Sequence, residues 1–279
     1  MNATDDWYDI EQVADRTYHI DEAGGYGMVL FEGEDRSVVV DAGAGVGDLY
    51  GLTTELVETP VTMVLSHTHW DHIGAASQFD DVLVGQPELP ADGRVAVDTL
   101  TDEFEDAAAA FLRRWLEAGY DLPDGFDPDG YELESFEATP APVEEGIDIG
   151  DRTLELYPLP GHAPGQIGVL DPATGVLYGG DVLHVDRDLY VMFEGGDLEA
   201  YVDTFATLVD LRDAGAFDTL LTSHNEPITG DDLAVLEKLR DGVREILEGD
   251  REYEIADTKW GDVRSYPIGE TNVLTPIDR

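Results

Sequence analysis

The stretch SHTHWDHIG, residues 66–74, gathers three of the chain's seven histidines and an aspartate into six positions: His67, His69, Asp71 and His72. It closes the apolar run VTMVLSH, 61–67, which reads as a strand. In extended backbone, residues two apart leave the same side, so His67 and His69 point together and Asp71 continues the alternation. His72 turns off that line where DHIGAAS, 71–77, reads as the first turns of a helix. Capping a helix needs one Asp or Ser, not three imidazoles. Four ligand-type side chains at one strand end therefore predict a metal site, in the kind of place where α/β proteins put chemistry.

Three further residues repeat that placement. His162 follows a strand in PLPGHAPGQ, His224 ends the strand in LLTSHNEP, and Asp181 follows two glycines in LYGGDVLH. A lone histidine is usually a core or surface residue. Three more ligand-type residues at strand ends, beside a cluster of four, point to one shared centre. With no cysteine in the chain, its donors are confined to imidazole, carboxylate and water.

Composition narrows the partners. Fifteen Lys and Arg stand against 62 Asp and Glu, a formal net charge of −47, and lysine occurs only at 238 and 259. That charge opposes binding to nucleic acid or to an anionic membrane surface. A hydrophobic content of 42% is ordinary for a globular protein, and no apolar run approaches the ~18 residues of a membrane span. The start, MNATDDWYDIEQ, lacks the basic and apolar regions of a signal peptide, so a soluble, cytoplasmic protein is expected. Acid spread along the whole chain resembles the surfaces of proteins from salt-loving organisms, where a Debye length of about 3 Å in molar salt screens self-repulsion. Habitat says nothing of function.

Residues 1–250 read as one domain of two similar strand-rich halves, each finished by helices. The second half carries helices at about 197–214 and 231–248. Between the halves, about 86–146, lies a helical, lid-like insertion whose DEFEDAAAAFLRRWLEAG aligns Phe104, Ala108, Phe111, Leu112, Trp115 and Leu116 on one face. The acidic link that follows is no calcium loop: placing Gly130 at the loop's glycine puts Gly125 at the first ligand position and Phe136 at the twelfth. Residues 251–279 are expected to pack on the body or on a partner.

The ordered motifs His67-Thr-His69-Trp-Asp71-His72, Gly161-His162, Gly180-Asp181 and Ser223-His224 resemble the metallo-β-lactamase fold superfamily, with VVVDAG at 38–43 matching the strand before the first motif. The resemblance spans about 17–250. It implies an α/β fold, an αβ/βα four-layer sandwich with metals between the sheets. It further implies that His67, His69 and His162 hold one divalent ion, that Asp71, His72 and His224 hold a second, that Asp181 bridges them, and that Asp41 supports the site without binding metal. Zinc is the expected ion, with iron or manganese suited to the same donors. The implied chemistry is hydrolysis by a metal-bridging hydroxide, with Asp71 orienting the nucleophile and passing on a proton.

An aspartate at the bridging position is similar to thioesterases of the glyoxalase II type and to lactonases, rather than to the best-known lactamases. A small ester, thioester or lactone is therefore the expected substrate. The alternatives are a mononuclear iron persulfide dioxygenase, a phosphodiesterase or nuclease, and a non-catalytic metal-binding protein. Ala163, Gln166 and Ser223 depart from the commonest family wording and blur the subfamily. His184 and Tyr26 are candidates for substrate contact, the first otherwise a solvent-exposed loop residue. Arg187 could meet an anionic substrate or pair with a neighbouring carboxylate. His19 reads as structural, and Trp70 as a core plug behind the site.

Overall fold

The computed structural model describes residues 7–96, 106–123 and 125–277. Two sheets face each other. In the first, Tyr8–Ala14, Thr17–Glu22, Tyr26–Phe31 and Ser37–Val40 form an antiparallel meander, which Val61–Leu65, Val82–Val84 and Thr139–Pro140 extend in parallel. In the second, Ile147–Asp148, Thr153–Pro158, Ile167–Asp171 and Val176–Tyr178 run antiparallel; Thr219–Thr222 joins in parallel and Asn225–Thr229 closes the edge.

The period-two alternation of these strands builds three cores. Val29, Phe31, Val38, Val40 and Val64 of the first sheet meet Leu154, Leu156, Ile167, Val169 and Leu221 of the second. Their neighbours Met28, Leu30, Val39, Met63 and Leu65 face the opposite way, toward helices α1 (Leu49–Leu56) and α2 (Ala107–Glu117). On the far side, Leu170, Leu177 and Leu220 pack under α3 (Leu198–Asp213) and α4 (Val235–Glu248). Helices thus cover both outer faces, giving the αβ/βα four-layer sandwich that the resemblance implies. The start of α3 is fixed by Asp197, whose carboxylate accepts from the N–H groups of Glu199 and Ala200. In α4, Leu236, Leu239, Val243 and Ile246 bury one face at helical spacing. Among the described residues no helix is long and apolar enough to cross a membrane.

The segment expected to open a helix after the first motif does not do so. Asp71–Ala75 is a chain of turns, and only a short 3₁₀ turn, Ala76–Gln78, follows. Its backbone bonds go to the loop after Ser37–Val40 instead: Ala42 N–H to His72 O, Gly74 N–H to Gly43 O and Ala75 N–H to Ala42 O. That contact is so close that a Cβ on Gly74 would sit 2.1 Å from the carbonyl carbon of Ala44. Glycine permits the approach, and the approach displaces the helix.

In the insertion, α2 lays Phe111 against Tyr26 and Trp70. Phe104, expected on the same face, lies outside the described residues. Glu254–Thr258, Gly261–Ile268 and Thr271–Pro276 form an antiparallel sheet, and Thr271–Pro276 pairs in parallel with Asp188–Tyr190. Tyr266, Ile268 and Val273 join the core beneath α3 and α4.

Candidate metal centre

Four strands end at the same edge, and each delivers its polar residues there. Val61–Leu65 leads into Ser66 and His67, Thr153–Pro158 toward His162, Val176–Tyr178 toward Asp181, and Thr219–Thr222 toward His224. Gly180 holds φ +58°, and a Cβ on it would meet Ser66 Oγ at 2.4 Å, so the turn before Asp181 needs glycine.

All seven residues singled out as ligands come together. His67, His69 and His162 form one group, Asp71, His72 and His224 another, and Asp181 lies within ligand reach of His67 and His72 and of His184 and His224. Asp181 Oδ1 is 3.3 Å from His72 Nε2 and 3.4 Å from His224 Nε2. Its Oδ2 is 3.6 Å from His162 Nε2 and 3.5 Å from His184 Nε2. Asp71 Oδ2 is 3.5 Å from His224 Nε2.

The opposite edge of five rings is committed elsewhere. His72 Nδ1 donates to Asp41 Oδ2 at 2.7 Å, His162 Nδ1 to the Tyr190 carbonyl at 3.0 Å, His184 Nδ1 to the Asp188 carbonyl at 2.6 Å, and His224 Nδ1 to the Gly25 carbonyl at 2.9 Å. His67 Nδ1 lies 3.0 Å from Ser66 Oγ, which itself donates to Asp41. Each ring so anchored turns Nε2 inward.

Those inward atoms lack ordinary partners: His67 Nε2, His72 Nε2, His184 Nε2 and Asp181 Oδ1 are buried without a hydrogen bond. His162 Nε2 and His69 Nδ1 face each other at 2.9 Å. Unpaired buried polar atoms are costly, and a converging set of them needs a common partner. A divalent cation supplies it. With bonds of about 2.0–2.1 Å, the edge of a tetrahedral donor set is roughly 3.3 Å, the separation seen around Asp181. The residues fit the implied metals.

Asp41 organises the inner wall. It holds left-handed backbone, φ +68°, a conformation a non-glycine residue keeps only when its surroundings impose it. Its carboxylate accepts from Ser66 N–H at 2.6 Å, Ser66 Oγ at 2.7 Å and His72 Nδ1 at 2.7 Å, with the Tyr178 hydroxyl at 2.7 Å. One buried carboxylate thereby sets the orientation of two imidazoles. Glu88 ties the loops on the other side, accepting from Thr68 N–H and from Gly165 N–H, each at 3.0 Å.

Protonation divides the histidines. Burial drives His67 well below its usual value, with His72 and His69 adding to the effect, and it takes His162 down to about 3, assisted by His69. Burial also opposes charge on His224, but Asp181 and Asp71 outweigh it and raise the ring to about 10. His72 is raised well above its usual value against burial by Asp181 and Asp41. Asp181 is likewise lowered, the attraction of His224 and His72 overcoming burial. Neighbouring carboxylates thus favour charge on His72 and His224, and burial disfavours it on His67 and His162.

His184, expected to meet substrate or else lie in solvent, is buried at 3% exposure and lines the cleft. Its ring is held by the strand Asp188–Tyr190, and its own carbonyl accepts from Thr271 Oγ1 at 2.8 Å. The C-terminal sheet therefore braces the centre through main-chain carbonyls, which no side-chain motif announces. Tyr26 does line the cleft, edge-on to Trp70 and to His224 at 5.6 and 5.7 Å between centroids. Trp70 is buried but also lines the cleft, and His19 is buried in Thr17–Glu22 without lining it. The cleft encloses about 320 Å³. Sequence reasoning missed five of its lining side chains: Arg114 on α2, Tyr190 and Phe193, and Lys259 and Trp260 at the tip of the C-terminal hairpin.

Comparison with known proteins agrees with this geometry. The model of the Metallo-beta-lactamase superfamily matches residues 27–214. Acyl-coenzyme A thioesterase MBLAC2 of Homo sapiens is 27% identical over 241 residues, 78% of this chain and 81% of that protein. Hydroxyacylglutathione hydrolase GloC of Haemophilus influenzae is 26% identical over 190 residues, 66% of this chain and 79% of that protein. Among solved structures, a metallo-beta-lactamase family protein of Thermus thermophilus shares the fold with a TM-score of 0.55 and 22% identity, covering 80% of this chain and 76% of that one.

Proposed function

The chain belongs to the metallo-beta-lactamase superfamily, and from that premise we propose that it is a dinuclear metal-dependent hydrolase of a small thioester, or of an ester or lactone by the same chemistry. The observation that carries this reading is the convergence of imidazole nitrogens on Asp181, those of His72 and His184 without a hydrogen bond. His67, His69 and His162 would hold one ion, Asp71, His72 and His224 the other, with Asp181 between them. When bound, two such ions, zinc by preference, polarise a carbonyl and ionise water near neutral pH.

The chain's own groups account for the rest. Asp71 is the more open of the two central carboxylates, 15% exposed against 7% for Asp181, and it faces the cleft. Burial would raise its pKa, but the hydrogen bond from His224 and the nearby His72 outweigh burial and keep it below the usual carboxylate range. It can orient a water through the oxygen it would not give to the ion and take up its proton. Tyr26, Trp70 and Phe193 form an apolar wall that limits access of bulk water. A volume of about 320 Å³ suits a small-molecule segment, and with the net charge it argues against nucleic acid as substrate. The acyl-coenzyme A thioesterase and the hydroxyacylglutathione hydrolase among the relatives favour a thioester.

The test is hydrolysis of S-butyryl-N-acetylcysteamine. Turnover is expected to fall at least about 10²-fold on removal of metal with EDTA and to return with added zinc. Turnover indifferent to chelation would contradict the reading.

A further inference from the structure

Acidic residues outnumber basic ones about fourfold in this chain, yet the cleft reverses the balance. Among the described residues, Asp71 and Asp181, both in the metal centre, are the only carboxylates lining it, while Arg114, Arg187 and Lys259 line the remainder. Elsewhere in the structure several arginines find acids, Arg16 with Asp151, Arg152 with Asp171, Arg212 with Glu237 and Arg251 with Glu245, and what sets the cleft apart is that its cations share one opening. The three cations of the cleft have no such ion pair among the described residues. In a surface this rich in carboxylates, three unpaired cations gathered around one opening call for an explanation.

They come from three separate elements. Arg114 is on α2, Arg187 is in the loop between His184 and the strand Asp188–Tyr190, and Lys259 is at the tip of the hairpin Glu254–Thr258/Gly261–Ile268. Lys259 also lies over the ring of Trp260, 4.1 Å from its centroid, and Trp260 packs edge-on against Tyr190 and Phe193. Arg114 and Lys259 line one cleft; burial pushes the Lys259 pKa down and the like charge of Arg114 pushes it further, with Asp71 opposing both. Like charges lining one cleft are relieved by a bound anion.

We infer that the cleft is built for substrates bearing an anionic group, phosphate or carboxylate, which Arg114 and Lys259 bind together, with Arg187 as a further cation on the rim. The inference rests on the hydrolase reading above and names the substrate class for that site. The cations line the same cleft as Asp71, so the anion and the scissile bond belong to one molecule. A guanidinium and an ammonium at one mouth suit a phosphate or carboxylate oxygen through charge-assisted hydrogen bonds.

Three thioesters test it: S-butyryl-N-acetylcysteamine, neutral; S-glutaryl-N-acetylcysteamine, with a carboxylate on the acyl half; and butyryl-coenzyme A, with phosphates on the thiol half. For the metal-loaded protein, kcat/KM for one anionic substrate should exceed that for the neutral one. In Arg114→Gln and Lys259→Gln that preference should fall about tenfold each, mainly through KM. Both residues are solvent-exposed, so the variants are expected to fold. Loss confined to butyryl-coenzyme A places the anion on the leaving thiol; loss confined to the glutaryl compound places it on the acyl group. A preference unchanged in both variants overturns the inference. If no thioester is turned over, the hydrolase reading fails separately, and calorimetric titration with coenzyme A and with glutarate decides. Binding weakened by the substitutions then upholds the anion site, and binding that is absent or unaltered overturns it.

Discussion

Replacing Asp181 with asparagine is expected to lower thioester turnover by about 10³-fold and to remove at least one metal ion per chain. Asp181 is the carboxylate that reaches both histidine groups, one oxygen toward His72 and His224 and the other toward His162 and His184. Asparagine keeps the shape but loses the charge and one of the two oxygen donors. Metal analysis and steady-state kinetics on Asp181→Asn check this, with the far-UV spectrum separating a damaged site from an unfolded chain. A variant that keeps its metal and more than about a tenth of its activity would remove Asp181 from the centre.

Asp41→Ala should act differently, on stability and metal affinity together. The substitution strands Ser66 N–H, Ser66 Oγ–H and His72 Nδ1–H, all buried and all within 2.6–2.7 Å of the lost oxygens, while the Tyr178 hydroxyl keeps the Gly27 carbonyl at 2.7 Å. An unsatisfied buried donor costs about 1–3 kcal/mol, and with partial relaxation the three together cost about 4 kcal/mol. For a chain of this size that lowers Tm by about 10 °C. His72 and, through Ser66, His67 lose their orientation, which should weaken metal binding about 10–100-fold. Asp41→Asn retains an acceptor and should fall between the two. Calorimetric melting and a competitive zinc titration measure both effects. A melt within about 2 °C of the parent and undiminished affinity would show that Asp41 does not order the site.

The metal centre was legible because its chemistry is written in residue type and spacing. His67-Thr-His69-Trp-Asp71-His72 needs only the alternation of a strand to converge, and His162, Asp181 and His224 each follow an apolar run that reads as a strand. The two facing sheets were legible from the same alternation. The turns at Asp71–Ala75 were not, because what displaces a helix there is the contact between Gly74 and Ala44, about thirty positions apart in sequence. The bracing of His162 and His184 was hidden for another reason: it uses the carbonyls of Tyr190 and Asp188, and any residue offers a carbonyl. Arg114 and Lys259 look like surface charge until the fold brings α2 and the C-terminal hairpin to one cleft.

The most direct measurement is the metal content of the chain, by plasma mass spectrometry on protein purified without chelators. The absence of cysteine removes thiolates as adventitious metal ligands. The account predicts about two zinc ions per chain, falling in Asp181→Asn. One iron per chain, with oxygen consumed on a persulfide, would make the protein an oxidoreductase, and no retained metal would contradict a metal centre altogether.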